Sequence, residues 1–333
     1  MPVSFAETLV VGISSRALFD LEEENRLFQE QGIVEYRKYQ KEREDIILER
    51  GTGFYLVNSL LNLNSLAPEG TRLVEVIVMS RNSPETGIRV LNSVKHYGLD
   101  ITRSAFTGGE SLYEYIEAFD VDLFLSKDEI DVQKIIDSGI AAAALIYEPP
   151  PGFTPETTTV RIAFDADAVI FSDESEQIYK AQGIEAFHSN ESNNSVVPLN
   201  EGPYAKLLKT LSRIQRKMET GVELSPLRIA IVTARNSPSH MRVLNTLREW
   251  DVYVDEAFFL GGLSKDKVLK AFKAHIFFDD QEAHLIPAQA VVPSAKVPYK
   301  STSPLYVKKE DLTVVDSSVL SKREIQKLNG LNK

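Results

Sequence analysis

Two aspartates spaced two apart, Asp165 and Asp167, close the apolar run Val160-Arg161-Ile162-Ala163-Phe164, which reads as a β-strand. Ligands of open α/β sheets bind beyond the carboxyl ends of strands, so both carboxylates stand in a functional position. Taken alone, such a pair is better explained as a turn former or helix cap. Three further signals change its meaning. The run at 228–232 ends in Thr233, a hydroxyl at the same sheet edge that would otherwise pass as a β-branched strand residue. Gly261-Gly262-Leu263-Ser264-Lys265-Asp266-Lys267 leads into a helical pattern over 268–273, with Ser264 as N-cap and Lys265 in the first turn. A helix N-terminus disfavours a cation, so Lys265 points to an anionic partner; a solvated surface lysine is the plainer alternative. Finally, the run at 275–278 ends in the adjacent acids Asp279 and Asp280, a donor set that hard cations such as Mg²⁺ favour.

These side chains need a frame of alternating strands and helices, and the chain writes that frame twice. Arg-Asn-Ser-Pro occurs at Arg81 and again at Arg235, an offset of 154, and Arg-Val-Leu-Asn at Arg89 and Arg242, an offset of 153. Gln31-Gly32-Ile33 returns as Gln182-Gly183-Ile184 at 151, and Phe106-Thr107-Gly108-Gly109 as Phe259-Leu260-Gly261-Gly262 at 153. Each copy alternates apolar runs with amphipathic patterns, which predicts an α/β fold around a mostly parallel sheet. The proline-rich stretch 147–155 cannot continue a helix or a central strand and marks the boundary. The expected domains are therefore a first copy at 1–147, a linker at 148–158, a second copy at 159–300 with a cap insertion around 174–226, and a tail at 301–333. The charge-rich run 22–50 reads as a solvated helix face, and the polar stretch 188–203 as a loop or part of a cap.

Composition removes several classes of function. Hydrophobic residues at 43% and charged residues at 26% fit neither a disordered nor a membrane-embedded chain. With 37 Lys and Arg against 48 Asp and Glu, the net charge of −11 repels nucleic-acid phosphates and anionic lipid, and no basic patch offsets it. Neither nucleic acid nor membrane is an expected partner. The absence of cysteine excludes disulfide frameworks, thiolate metal sites and cysteine nucleophiles. Residues 1–19 carry neither a basic leading segment nor a long apolar run, so no signal peptide is expected and the cytoplasm is the expected compartment.

Asp-x-Asp, Thr, Lys and Asp-Asp, in that order at strand ends, match the haloacid dehalogenase superfamily of phosphotransferases. More closely, Phe164-Asp165-Ala166-Asp167-Ala168-Val169-Ile170-Phe171-Ser172-Asp173-Glu174-Ser175-Glu176, Thr233-Ala234-Arg235-Asn236-Ser237-Pro238, Phe258-Phe259-Leu260-Gly261-Gly262 and the stretch 275–281 resemble the type I cytosolic 5′-nucleotidases. The likeness extends to Gly12-Ile13-Ser14-Ser15-Arg16-Ala17-Leu18-Phe19 and spans roughly 9–281. It implies a haloacid-dehalogenase-like Rossmannoid sheet with an internal duplication whose first copy is degenerate. It also implies Mg²⁺-dependent hydrolysis of nucleoside 5′-monophosphates, AMP-like in class, through an aspartyl-phosphate. Asp165 would be the nucleophile and Asp167 the general acid and base. Thr233 and Lys265 would hold phosphate, with Lys267 an alternative to Lys265. Asp165, Asp279 and Asp280 would hold the metal, Asp167 adding its backbone carbonyl. Two alternatives stay open: a phosphatase of another small phosphomonoester, and a non-catalytic nucleotide-binding regulator.

The first copy is an internal control. The offsets place Ser14 and Arg16 opposite Asp165 and Asp167, Met79 opposite Thr233, and Ser126 and Lys127 opposite Asp279 and Asp280. No catalytic acid remains there. The retained Ser-Pro of both copies reads as N-cap and first helical residue, leaving Arg235 and Asn236 as substrate candidates. His188, His240, His275 and His284 match no metal spacing and read as structural or surface residues. The first copy either shapes a nucleoside or effector site, with Arg16 supplying a cation, or only buries apolar surface or mediates self-association into a homo-oligomer.

Overall fold

The computed structural model describes residues 5–307 apart from Thr157, Glu219, Gly221 and Glu223. Most of the expected tail at 301–333 lies outside the described residues, as do one position of the expected linker and three of the expected cap. The strands are β1 (Leu9–Ile13), β2 (Val74–Ser80), β3 (Arg103–Phe106), β4 (Leu123–Ser126), β5 (Ala142–Ile146), β6 (Val160–Phe164), β7 (Leu227–Thr233), β8 (Glu256–Phe259), β9 (Ile276–Asp279) and β10 (Ser294–Lys296). They form one sheet in the order β3-β2-β1-β4-β5-β10-β9-β6-β7-β8. Every neighbouring pair is parallel except β5 and β10, which meet antiparallel and carry the sheet across the chain's midpoint. The protein is thus α/β with a mostly parallel central sheet. Among the described residues no helix is long and apolar enough to cross a membrane.

Each half arranges its strands alike: β1 lies between β2 and β4, and β6 between β7 and β9. Strand order reverses at those central strands, which opens a crevice at their carboxyl ends. The central strands are near-continuous apolar runs because both sheet faces are covered. Charges inside the sheet are paired across it. The carboxylate of Glu75 on β2 is buried and meets Arg103 of β3 at 2.8 Å. At the same register positions of the other half, Arg228 on β7 meets Glu256 of β8 at 3.2 Å, with the signs exchanged.

Two kinked helices, Glu22–Glu42 and Glu174–Asn193, extend over the strand ends. Each bends at one glycine, Gly32 (φ 79°, ψ −175°) and Gly183 (φ 82°, ψ −177°). No atom crowds either position, so backbone conformation and not space demands glycine. The repeated Arg-Val-Leu-Asn anchors the segment after each kinked helix. Arg89 Nε donates to Ile46 O at 2.8 Å and Asn92 Nδ2 to Glu44 O at 2.9 Å; Arg242 Nε and Asn245 Nδ2 hold Val197 O and Ser195 O at 2.9 and 2.8 Å.

Several local expectations need correction. Ser83-Pro84 and Ser237-Pro238 precede their helices, Ile88–His96 and His240–Glu249, by a turn, and Gly87 and Ser239 hold the cap positions. Helix Asp266–Phe272 begins one residue late, with Lys265 itself at the cap and no side-chain cap bond. The stretch from His188 to Asn193 remains helical. Helix Glu22–Glu42 is mostly solvated but buries Glu24, Tyr36 and Gln40. Sheet register also places Ser80 opposite Thr233, not Met79. Ala234 is inserted between Thr233 and Arg235, so the tetrapeptide offset overshoots the strands by one.

Candidate active site

Asp165 follows the last residue of β6, and its backbone N–H donates to Phe278 O on β9 at 2.8 Å. This bond sets the carboxylate beside Asp279, the last residue of β9. Lys265 reaches between them, its Nζ 2.8 Å from Asp165 Oδ1 and 2.6 Å from Asp279 Oδ2. Its side chain is 1% exposed, whereas Lys267 points to solvent. Thr233 is buried at the end of β7, and its Oγ1 accepts from Arg235 N at 3.2 Å. Asp280 is buried and accepts from the Tyr299 hydroxyl, which also contacts both oxygens of Glu176 at 2.9 Å. Asp165, Thr233, Lys265, Asp279 and Asp280 thus gather at the carboxyl ends of β6, β7 and β9, on elements distant in sequence.

The electrostatics of this cluster are unbalanced. Asp165 and Asp279 are buried around the Lys265 ammonium, and Asp280, also buried, meets the Tyr299 hydroxyl instead. Burial, with Asp279 and Asp167 nearby, pushes the Asp165 carboxyl up to about 7 despite Lys265. Burial would lower the Lys265 ammonium, but Asp165 and Asp279 outweigh it and hold it above its usual range. Burial is likewise overcome at Asp279, which Lys265 and His284 hold below the usual carboxylate range. Asp280 is driven well up by burial and by Asp279, Glu176 and Asp165. A divalent cation beside these carboxylates would offset the repulsion that raises Asp165 and Asp280 and would favour their ionised forms.

The donor set fits such an ion. Asp280 Oδ1 is buried and accepts no hydrogen bond, and Asp165 Oδ1 meets Lys265 only outside hydrogen-bond geometry. Ligand atoms of Asp165, Asp279 and His284 lie within 4.8 Å of one another. Carboxylate oxygens favour a hard cation. His284 corrects its reading as a purely structural or surface residue: its Nδ1 is 3.3 Å from Asp279 Oδ2. His275 keeps the structural role, with Nδ1 accepting from Arg161 N at 3.1 Å and Nε2 beside Glu156 O at 2.8 Å.

Arg235, and not Lys265, holds the carboxylate of Asp167. Arg235 grips it as a fork, Nε to Oδ2 at 2.8 Å and Nη2 to Oδ1 at 2.6 Å, and also contacts the buried carboxylate of Glu191. Glu191 in turn accepts from Ser175 Oγ at 2.9 Å and Arg242 Nη1 at 3.0 Å. Arg235 is therefore engaged within the protein and is not free for substrate. Asn236 contacts His188 Nε2 at 3.1 Å through its Oδ1. Arg16 lies in the other half, in a cavity with Ser14, Ser126 and Lys127. Sequence reading assigned no role to Glu176, Glu191 or Tyr299 and took His284 for a structural or surface residue; only Glu176, inside the family-like stretch after Asp165, carried any signal.

A family model described as 5′-nucleotidase matches residues 1–304. Human cytosolic 5′-nucleotidase 1B is 37% identical over 288 residues, which cover 84% of this chain and 47% of that protein. The chain thus spans about half the length of this curated relative. No solved structure matches. The match over nearly the whole described chain establishes that the chain belongs to the 5′-nucleotidase family.

Proposed function

We propose that this protein is a Mg²⁺-dependent 5′-nucleotidase of the cytoplasm that hydrolyses nucleoside 5′-monophosphates, AMP-like in class, through an aspartyl-phosphate on Asp165. The observation that carries the reading is the buried contact of Lys265 with Asp165 and Asp279, with Asp280 adjoining, at the crevice between β6 and β9. A carboxylate oxygen of Asp165 attacks phosphorus, the bond to the nucleoside 5′-oxygen breaks, and Asp167 gives its proton to that leaving oxygen. Asp167, now ionised, takes a proton from water. The water oxygen then bonds to phosphorus, and the bond to Asp165 breaks, releasing phosphate and restoring the enzyme. Thr233 and Lys265 hold the nonbridging oxygens. Magnesium, held by Asp165, Asp279 and Asp280 with the Asp167 carbonyl, would neutralise charge on the transferring group. Arg235 is a positioning residue: it orients Asp167, whose proton uptake has to break one arm of the fork.

The same reading takes the halves as two copies of one haloacid-dehalogenase-like unit, 1–147 without the catalytic acids and 159–300 with them, joined by 148–158. The cap falls within 174–226. Support comes from the common strand order, the two kinked helices and the sign-exchanged ion pair. The deciding experiment is phosphate release over a nucleoside monophosphate panel with Mg²⁺ or EDTA. Turnover is expected only with Mg²⁺ and not in Asp165→Asn, whose amide cannot attack phosphorus. Release that is undiminished in EDTA or in a folded Asp165→Asn protein contradicts the mechanism. Equal release from phosphomonoesters without a nucleoside removes the substrate class.

A further inference from the structure

The ends of β1, β2 and β4 face a cavity of about 350 Å³ that no step of the proposed hydrolysis uses. Ser14, Arg16, Ser80, Ser126 and Lys127 line its strand side, and Phe28, Tyr36 and Arg37 of the kinked helix line the other. Ser14 N donates to Leu125 O at 2.9 Å as Asp165 N does to Phe278 O at 2.8 Å, so serine stands where the other half has Asp165. By the same register Ser126 and Lys127 stand at Asp279 and Asp280, and Arg16 at Asp167. Four acids have become two hydroxyls and two cations. A divalent ion has no carboxylate to hold it at these positions, and an anion needs no metal to enter.

The other polar groups of the cavity agree. Its carboxylates are engaged: Glu24 with Arg89 at 2.6 Å, Asp131 with Arg81 at 2.7 Å, and Asp128 as a helix cap accepting from Asp131 N at 2.9 Å. Two donors buried in the lining, Arg16 Nε and Asn82 Nδ2, have no acceptor. Orphaned donors beside a cavity call for a ligand rich in acceptors. Arg16 and Lys127 share Glu22, at 3.0 and 2.9 Å, and Lys127 also meets Glu148; the two carboxylates are 42% and 67% exposed, so they can exchange the cations for water. The opposite wall is aromatic, Phe28 meeting Tyr36 edge-on at 5.7 Å between ring centroids. Inorganic phosphate would leave this wall unused. A nucleoside phosphate uses both sides.

We propose that this cavity is a metal-independent binding site for a nucleoside phosphate, its phosphate held by Ser14, Arg16, Ser80, Ser126 and Lys127 and its nucleoside against Phe28 and Tyr36. The assignment rests on the reading of the two halves as copies, and not on hydrolysis by the second half. Calorimetric titration of the full chain in EDTA, with AMP and inorganic phosphate as separate probes, tests it. AMP is expected to bind at one site and more tightly than phosphate. Ser126→Asp should weaken it at least tenfold while Mg²⁺-dependent phosphate release persists, and Glu22→Gln should tighten it severalfold. Thr233→Val, in the other half, should leave AMP binding in EDTA unchanged. The proposal is overturned by no AMP binding in EDTA, by phosphate binding as tightly as AMP, or by binding lost in Thr233→Val and kept in Ser126→Asp. If Ser126→Asp does not fold, the direction of the Glu22→Gln change decides. AMP binding without any phosphate release would sink the catalytic reading and leave this site standing; release without binding in EDTA would do the reverse.

Discussion

Replacing Lys265 by methionine removes one ammonium while nearly conserving volume, and its contacts set the size of the effect. Nζ lies 2.8 Å from Asp165 and 2.6 Å from Asp279, with the side chain 1% exposed. Removing one partner of a buried ion pair strands the other and costs about 3–5 kcal/mol. Asp165 already titrates at about 7, so it relieves part of the strain by taking up a proton. We therefore expect the lower end, about 3 kcal/mol in EDTA at neutral pH. For a chain of this size, with an unfolding entropy of about 0.7 kcal/mol/K, that corresponds to a Tm lower by roughly 4 °C. Added Mg²⁺ should then raise Tm more in the variant than in the wild type, because no ammonium competes for the carboxylates and ligand binding stabilises as RT ln(1 + [L]/Kd). Turnover should nevertheless stay down by about 10²–10³, the loss of one preorganised charge-stabilising donor. Lys267→Met, at an exposed position, should change stability by no more than about 0.5 kcal/mol. Thermal scans in EDTA and across a Mg²⁺ series, with phosphate release alongside, make the measurement. A wild-type Tm for Lys265→Met in EDTA, or a Mg²⁺ response no larger than wild type, refutes the account of the cluster as buried charge awaiting a cation.

Asp167→Asn should impair leaving-group protonation, so the burst of product from a substrate with a good leaving group should fall less than that from a nucleoside monophosphate. Equal loss for both substrates removes the acid role. His275 is held below its usual pKa by burial, so the unfolded chain binds the proton more readily. Its contribution is then fully present above pH about 6.5 and is lost as pH falls toward the lowered folded value. His275→Asn, which keeps an acceptor for Arg161 N, should flatten the decline of Tm between pH 7 and 5; an unchanged slope counts against it. Tyr204 buries a hydroxyl without a hydrogen-bond partner between Phe164 and Phe278. Tyr204→Phe should therefore stabilise by about 1 kcal/mol, and a lower Tm would show that the hydroxyl has a partner.

The strands of the second half were legible because buried parallel strands are near-continuous apolar runs, broken in β6 and β7 only by single arginines, and the acids were legible because they terminate those runs. What sequence could not separate was settled by packing. Lys265 and Lys267 lie on one short segment, yet only Lys265 turns between Asp165 and Asp279. Glu191 sat in a polar stretch read as loop or cap, and its role depends on Arg235 and Arg242, more than forty positions away. Tyr299 reaches Asp280 from beyond the last strand, with no motif to announce it. Repeated Arg-Val-Leu-Asn was visible while its purpose was not, because the carbonyls it holds belong to segments that differ in sequence between the halves.

Where the halves differ inside the frame, they differ in compensated sets. Glu75 and Arg103 answer to Arg228 and Glu256 with signs exchanged. The backbone N–H of Val10 is met by Asp122, and that of Arg161 by His275. Arg89 finds its carboxylate on Glu24 with Gln40 beside it, and Arg242 finds it on Glu191 with Ser175 beside that carboxylate. Burial explains this restraint, since an unpaired polar group there costs on the order of 1–3 kcal/mol and a charge more. The strand ends follow no such rule. Asp165, Asp167, Asp279 and Asp280 give way to Ser14, Arg16, Ser126 and Lys127 together, so the sign of the whole cradle changes while the sheet register that builds it stays the same. Packing alone would be satisfied by any small or paired residues at those four positions. A coordinated passage from acids to hydroxyls and cations, facing an open cavity with two orphaned donors, is accounted for by the charge of what enters it.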